Sequence, residues 1–215
     1  MRIDIFADTI CPWCFIGKRR LERALALIPQ RRIIIYWRPF QLNPDMPETG
    51  MDRNVYLAAK FGGTANAVRT YQNIARAGES EGLAFAFNKI ARTPNTRLSH
   101  ELLAHAAPHG LQNALIENLF RLYFFEGADI GNLQVLLQAA ADLGLDPHEA
   151  EEALQNGWFR QQISTEERQG REAGLQGVPA YVFNGQHLLS GAQDPKVLMR
   201  MLDLARENEA LSGRG

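Results

Sequence analysis

The only two cysteines in the sequence, Cys11 and Cys14, enclose Pro12-Trp13. A thiol attacks a disulfide as its thiolate. A pair at this spacing at a helix start divides the labour of exchange. Cys11, at the helix N-terminus and expected at the surface, attacks. Cys14, one turn inside, reaches back and resolves the mixed disulfide. The free N–H groups and partial positive charge of a helix N-terminus favour the attacking anion. Two packing cysteines are the plainer reading, but C-x-x-C after a strand is a redox signature. Zinc would need two more ligands. His100, His105, His109, His148 and His187 supply no second cluster, since Pro108 interrupts the helical spacing of His105 and His109. No metal is expected.

The elements that must position this pair are legible around it. Ile3–Ala7 reads as a short strand, followed by a turn through Asp8-Thr9-Ile10. Pro12–Ile28 has helical periodicity, with Pro12 where a missing N–H costs nothing and Pro29 as the stop. Lys18, Arg19 and Arg20 fit its wet face. Arg32–Arg38 holds the run Ile33-Ile34-Ile35-Tyr36-Trp37, expected as a buried strand. A β–α–β crossover of this kind is parallel and right-handed. From about Asp52 to Phe159 strand signal is slight, and helices are expected over 54–61, 65–82, 96–107, 112–125, 132–143 and 147–156. Thr64, Asn95 and Asp146 are candidate N-caps. A further helix covers 161–173. Val178–Phe183 reads as a strand, Asn184-Gly185 as a hairpin turn, and His187–Ser190 as its return. A last helix spans 194–208, and Leu211–Gly215 reads as a frayed tail.

With the helical block removed, this is the order of an α/β thioredoxin fold, a four-stranded mixed sheet with helices on both faces. The expected order across the sheet is return strand, 178–183, 3–7, 32–38. The chain reads as one domain over 1–215, its thioredoxin part at about 1–45 and 160–210 and a large all-helical insertion at about 46–159.

The chain has 215 residues, 46% hydrophobic and 22% charged, ordinary for a globular protein large enough to bury a core without disulfides. A formal net charge of −1, from 23 basic and 24 acidic residues, points to no nucleic-acid or membrane partner. No stretch approaches the roughly 18 apolar residues of a membrane span, and no leader pattern opens the sequence. A cytoplasmic location is expected, as monomer or dimer.

Four segments together resemble a known family: 8–17 (DTICPWCFIG), 38–44 (RPFQLNP), 95–100 (NTRLSH) and 177–181 (GVPAY). They are similar to those of DsbA-like thioredoxin proteins, more narrowly the FrnE branch of protein dithiol–disulfide isomerases. The resemblance implies Cys11 and Cys14 as catalytic residues, a cis bond before Pro179 facing Cys11, and Val178 offering its backbone edge to substrate. Read alone, Val178-Pro179 fits a trans proline at a strand start equally well. The resemblance also places Asn95, Thr96 and His100 beside the redox site. Without it these are a capped helix start and a solvated histidine. Trp13 is expected as an exposed apolar substrate contact. Asp8 and Pro12 would tune the pair, although Asp8 reads equally well as a turn or capping residue. Some FrnE-like proteins carry a second cysteine pair near the C-terminus, which this chain lacks. The implied partner is a thiol- or disulfide-containing protein or small molecule. No bound cofactor is implied beyond the redox-active pair, with glutathione as a candidate co-substrate. Related glutathione-dependent 2-hydroxychromene-2-carboxylate isomerases and kappa-class transferases usually lack the second cysteine, so Cys14 favours dithiol chemistry. The isomerase or transferase reading is the alternative, and a peptide-binding module with incidental cysteines is a third.

Overall fold

A computed structural model of the chain describes residues 1–28 and 32–212. Its central strand is β1 (Arg2–Ala7), in which Ile3, Ile5 and Ala7 point into the core while Arg2, Asp4 and Phe6 point the other way. That alternation follows from the two-residue period of a strand. β1 pairs in parallel with β2 (Ile34–Pro39) and antiparallel with β5 (Ala180–Phe183), which in turn pairs with β6 (His187–Ser190). The sheet order β2-β1-β5-β6 is the one expected from the sequence.

β2 departs from its expectation as a buried strand. It lies at the sheet edge, with Ile34 56% exposed. At Trp37 the edge backbone is satisfied, because buried Gln112 bonds both ways to it: Trp37 N–H to Oε1 at 2.8 Å and Nε2 to the Trp37 carbonyl at 3.0 Å. The β5–β6 hairpin turns at Asn184 and Gly185, with φ of 50° and 70°. These are left-handed values that an Asn-Gly pair adopts at low cost.

α1 (Pro12–Ala26) and the C-terminal α9 (Pro195–Ser212) cover the Ile3/Ile5 face. α9 continues through residues expected as a frayed tail; 213–215 lie outside the described residues, as does the predicted stop at Pro29. On the opposite face α8 (Arg160–Glu172) closes over Phe6, with Phe40, Leu175 and Ala180 as a smaller apolar cluster.

The block between β2 and α8 holds α2 (Arg53–Phe61), α3 (Thr64–Glu79), α4 (Arg97–Ala106), α5 (Gln112–Arg121), α6 (Leu133–Ala141) and α7 (Pro147–Gln155). Three features differ from the sequence reading. A two-residue ladder joins β3 (Met51–Asp52) to β4 (Arg92–Thr93), so the block is not strandless and the chain has a second, minimal sheet. Strands this short carry no periodicity to detect. The helix expected over 112–125 changes to a π-turn at Leu122–Glu126, which local pattern does not reveal. Finally, α3 starts at Thr64 with Gly63 as its N-cap, whereas Asp146 caps α7 as predicted. One apolar cluster runs through both parts of the chain. Phe15 of α1 stacks on Phe120 at 4.9 Å, and Trp37 meets Phe120 edge-on at 6.5 Å.

Lys18, Arg19 and Arg20 are not a solvated face. Lys18 is 4% exposed and pairs with Glu22 and with Glu117, at 2.9 Å to the latter. Arg19 also meets Glu117, and Arg20 holds Glu81 at 2.8 Å. The insertion brings Glu81 and Glu117 to α1, turning a helix face that is polar by sequence into an interface. Among the described residues no helix is long and apolar enough to cross a membrane.

Candidate active site

β1 ends at Ala7, and the chain turns through Asp8-Thr9-Ile10 to bring Cys11 N–H onto the Asp8 carbonyl at 3.0 Å. Cys11 is the N-cap of α1, in extended conformation at φ −91° and ψ 111°, with no side-chain cap bond. Pro12 takes the first helical position. The first turn holds no acidic residue, so the positive end of α1 has no competing carboxylate within it.

Contrary to its expected surface position, Cys11 is only 3% exposed. The loop before β5 folds over it, and its Sγ–H donates to the Val178 carbonyl at 3.6 Å. The Val178–Pro179 bond is cis, and the Pro179 carbonyl accepts from Gly191 N–H at 2.7 Å, tying the loop to the hairpin's end. Trp13, 38% exposed, is the open side chain of the motif.

Cys14 is fully buried, and both cysteines are free thiols. Burial pushes the Cys14 thiol well above its ordinary value. A hydrogen bond with Cys11 and the neighbouring Cys11 charge add to this, while a backbone hydrogen bond at Asp8 pulls the other way. The two thiols are thus inequivalent: one at an uncapped helix end beneath a loop, the other in the core.

Behind them Asp8 is completely buried. Its Oδ2 accepts from Leu42 N–H at 2.6 Å and Oδ1 from Ile10 N–H at 3.4 Å, so it fastens the exit from β2 to the turn before Cys11. His100 Nε2 lies 3.7 Å from Asp8 Oδ1, both side chains essentially without solvent contact. Next to this pair, Thr9 Oγ1 and Ser99 Oγ meet at 2.7 Å. The start of α4 therefore docks on the turn before the redox pair through Ser99 and His100, and His100 is no solvated histidine. Asn95 acts elsewhere in the same segment: its Nδ2 donates to the Met46 carbonyl at 2.6 Å and its Oδ1 accepts from Arg97 N–H at 2.9 Å. Thr96, 3% exposed, offers its carbonyl to Ser99 Oγ at 2.7 Å and His100 N–H at 3.1 Å.

Three residues beside the site were not singled out by sequence: Ser99, Gly17 and Tyr181. A Cβ on Gly17 would stand 2.2 Å from the Tyr181 hydroxyl and 3.0 Å from Pro179 Cγ. The missing side chain there lets α1 press against the Pro179–Tyr181 segment. Neither Gly17 nor Tyr181 has a local signal, because their roles exist only across the α1–β5 contact. Among the described residues no group of three or more His, Cys, Asp or Glu is placed to hold a metal ion.

A strand, a dithiol at a helix N-terminus and a facing proline loop on a four-stranded mixed sheet define a thioredoxin-fold dithiol protein. Residues 2–203 match the model of the DSBA-like thioredoxin domain, and the chain belongs to that family. A probable DsbA oxidoreductase from Streptomyces coelicolor is 29% identical, with TM-score 0.86 over 96% of this chain and 90% of that one. The uncharacterised protein YwbO of Bacillus subtilis is 24% identical over 203 residues, 94% of this chain and 96% of its own length. The cytosolic disulfide reductase DsbM of Pseudomonas aeruginosa, in a structure with GSH, shares the fold at 18% identity, TM-score 0.68, covering 96% of this chain and all of that one (100%).

Proposed function

We propose that the protein is a cytoplasmic thiol–disulfide oxidoreductase and isomerase of the FrnE-like DsbA branch, working through a mixed disulfide on Cys11. The carrying observation is the inequivalence of the thiols: Cys11 Sγ lies at the uncapped end of α1, 3.6 Å from the Val178 carbonyl, while Cys14 is buried with its thiol held protonated.

Cys11 thiolate attacks a substrate disulfide, forming the Cys11–substrate S–S bond and expelling one substrate thiolate. Cys14 then gives up its proton, its sulfur bonds to Cys11 Sγ, and the Cys11–substrate bond breaks. Two electrons pass to the substrate, whose two thiolates take up protons, and the enzyme is left as the Cys11–Cys14 disulfide. Run backwards, the same steps oxidise a dithiol; stopped before resolution and reversed onto another sulfur, they reshuffle a disulfide. Trp13 supplies an apolar contact and Val178 a backbone edge for an extended substrate. Asp8 and Pro12 tune the pair, and Asn95, Thr96 and His100 belong to the substrate side of the site. Glutathione is the proposed small-thiol co-substrate, a reading supported by the shared fold of DsbM, solved with GSH.

Insulin reduction with Cys11→Ser and Cys14→Ser variants tests this. Cys11→Ser should abolish turnover, and Cys14→Ser should stop at an isolable mixed disulfide. Full activity in Cys11→Ser would overturn the proposal. Undiminished glutathione-dependent activity in Cys14→Ser would replace it with a monothiol isomerase or transferase.

A further inference from the structure

Arg53 opens α2 and is 6% exposed. Its Nη1 donates to Thr93 Oγ1 at 3.1 Å and Tyr123 Oη at 3.3 Å, and its Nη2 to Tyr71 Oη at 2.6 Å. The guanidinium also stacks on the rings of Tyr71 and Tyr56, at 4.9 and 5.8 Å. All these partners are neutral. Among the described residues no carboxylate is paired with it. Other sheltered cations behave differently: Lys18 has Glu22 and Glu117, Arg20 has Glu81, and Arg38 has Asp4 and Glu166. A guanidinium removed from water without a counter-charge is costly, and hydroxyls and rings offset that only in part.

Arg53 borders a cavity of about 220 Å³ between α2 and α3. Arg53 and Tyr71 contribute its polar side, Leu57, Val68 and Phe87 its apolar walls, and Thr64 stands at the start of α3. The first turn of α3 has no side-chain cap and no acidic residue, so its N-terminus carries an unopposed partial positive charge; that of α2 is already capped by the Asp52 carboxylate, which accepts from Asn54 N–H and Val55 N–H. A guanidinium has five N–H donors, and the three hydrogen bonds leave two. Tyr71 Oη accepts from Arg53, so its own proton is free to donate.

We propose that this cavity binds a small monocarboxylate with a compact apolar body, the carboxylate received by Arg53 and Tyr71 and the body by Leu57, Val68 and Phe87. A dianion is disfavoured, because Arg53 is the one cation among the described lining residues, and Lys60 of the same helix is turned to Asn43 Oδ1 at 3.1 Å and to the Tyr56 ring. The volume equals that of roughly seven waters at about 30 Å³ each, which limits the ligand to a small molecule. The site does not depend on the dithiol chemistry proposed above.

Titration calorimetry of the full chain with sodium benzoate, neutral benzamide and inorganic phosphate at constant ionic strength tests it. Benzoate should bind saturably in the millimolar range, with benzamide and phosphate at least about tenfold weaker. Arg53→Gln should lose benzoate binding. Val68→Trp, at a half-exposed wall position, should fill the cavity and abolish binding in a protein that still unfolds cooperatively in urea, which decides the matter if Arg53→Gln fails to fold. Absence of saturable benzoate binding, equal binding of benzamide, tighter binding of phosphate, or unchanged benzoate affinity in Val68→Trp would each overturn the proposal.

Discussion

Replacing Gly17 with alanine probes the contact that holds the redox helix against the proline loop. The new Cβ would lie 2.2 Å from the Tyr181 hydroxyl, far inside van der Waals contact, and 3.0 Å from Pro179 Cγ. Tyr181 is 1% exposed and fixed in β5, so its ring cannot swing aside. Overpacking of this kind costs about 3 kcal/mol at the upper end of its usual range. Alanine returns about 1 kcal/mol in helix propensity. The net loss is about 2 kcal/mol, or about 4–8 °C in Tm for a chain of this size.

The severe clash is with one atom, which makes the estimate testable by a cycle. Without the hydroxyl, the remaining approaches are Pro179 Cγ at 3.0 Å, which must give by a few tenths of an ångström, and Tyr181 Cζ at 3.5 Å, an ordinary contact. The Tyr181 hydroxyl has no hydrogen-bond partner among the described residues, so Tyr181→Phe should stay within about 1 kcal/mol of the parent. The double variant should recover most of the loss, the remainder belonging to the Pro179 Cγ contact, with a coupling of about 1–2 kcal/mol. Urea denaturation of the four reduced proteins measures this. A Gly17→Ala protein as stable as the parent, or one that Tyr181→Phe fails to rescue, would refute the reasoning.

Because burial raises the Cys14 thiol, the native reduced protein holds that proton more tightly than the unfolded chain. The resulting stability is complete below the ordinary thiol value of 9.0 and is lost as pH rises towards the raised one. Urea midpoints of the reduced protein should fall above that pH, and Cys14→Ala should flatten the decline. In the native protein at neutral pH, iodoacetamide should modify Cys11 ahead of Cys14, read by peptide mass mapping. Pro12-Trp13 offers the forming thiolate no ionisable donor. The redox potential should therefore fall near roughly −230 to −180 mV, below DsbA's about −120 mV, in glutathione-buffered titration followed by tryptophan fluorescence. Gln112→Leu should destabilise by about 2–4 kcal/mol in thermal unfolding, since it leaves the buried N–H and carbonyl of Trp37 without partners.

The sequence alone placed the two cysteines at the start of the first helix and determined the β–α–β start, the Asn184-Gly185 hairpin and the sheet order, because these rest on short-range rules. Helix starts tolerate Pro12, Asn-Gly adopts left-handed turns, and few topologies join such elements without crossing. It also placed most helices of the block, whose period is strong. What the tertiary structure decided is everything that depends on a partner distant in sequence. Cys11 lost its exposure because residue 178 arrives over it. Lys18 and Arg20 left the solvent because Glu117 and Glu81 come to meet them. His100, a solvated histidine on local pattern alone, is a buried neighbour of Asp8, and Arg53, to which the sequence drew no attention, is enclosed by Tyr71, Tyr123 and Thr93. A side chain's type and local period fix which face of its helix it takes. Whether that face meets water or a charge contributed from a hundred residues away is settled only by the packing.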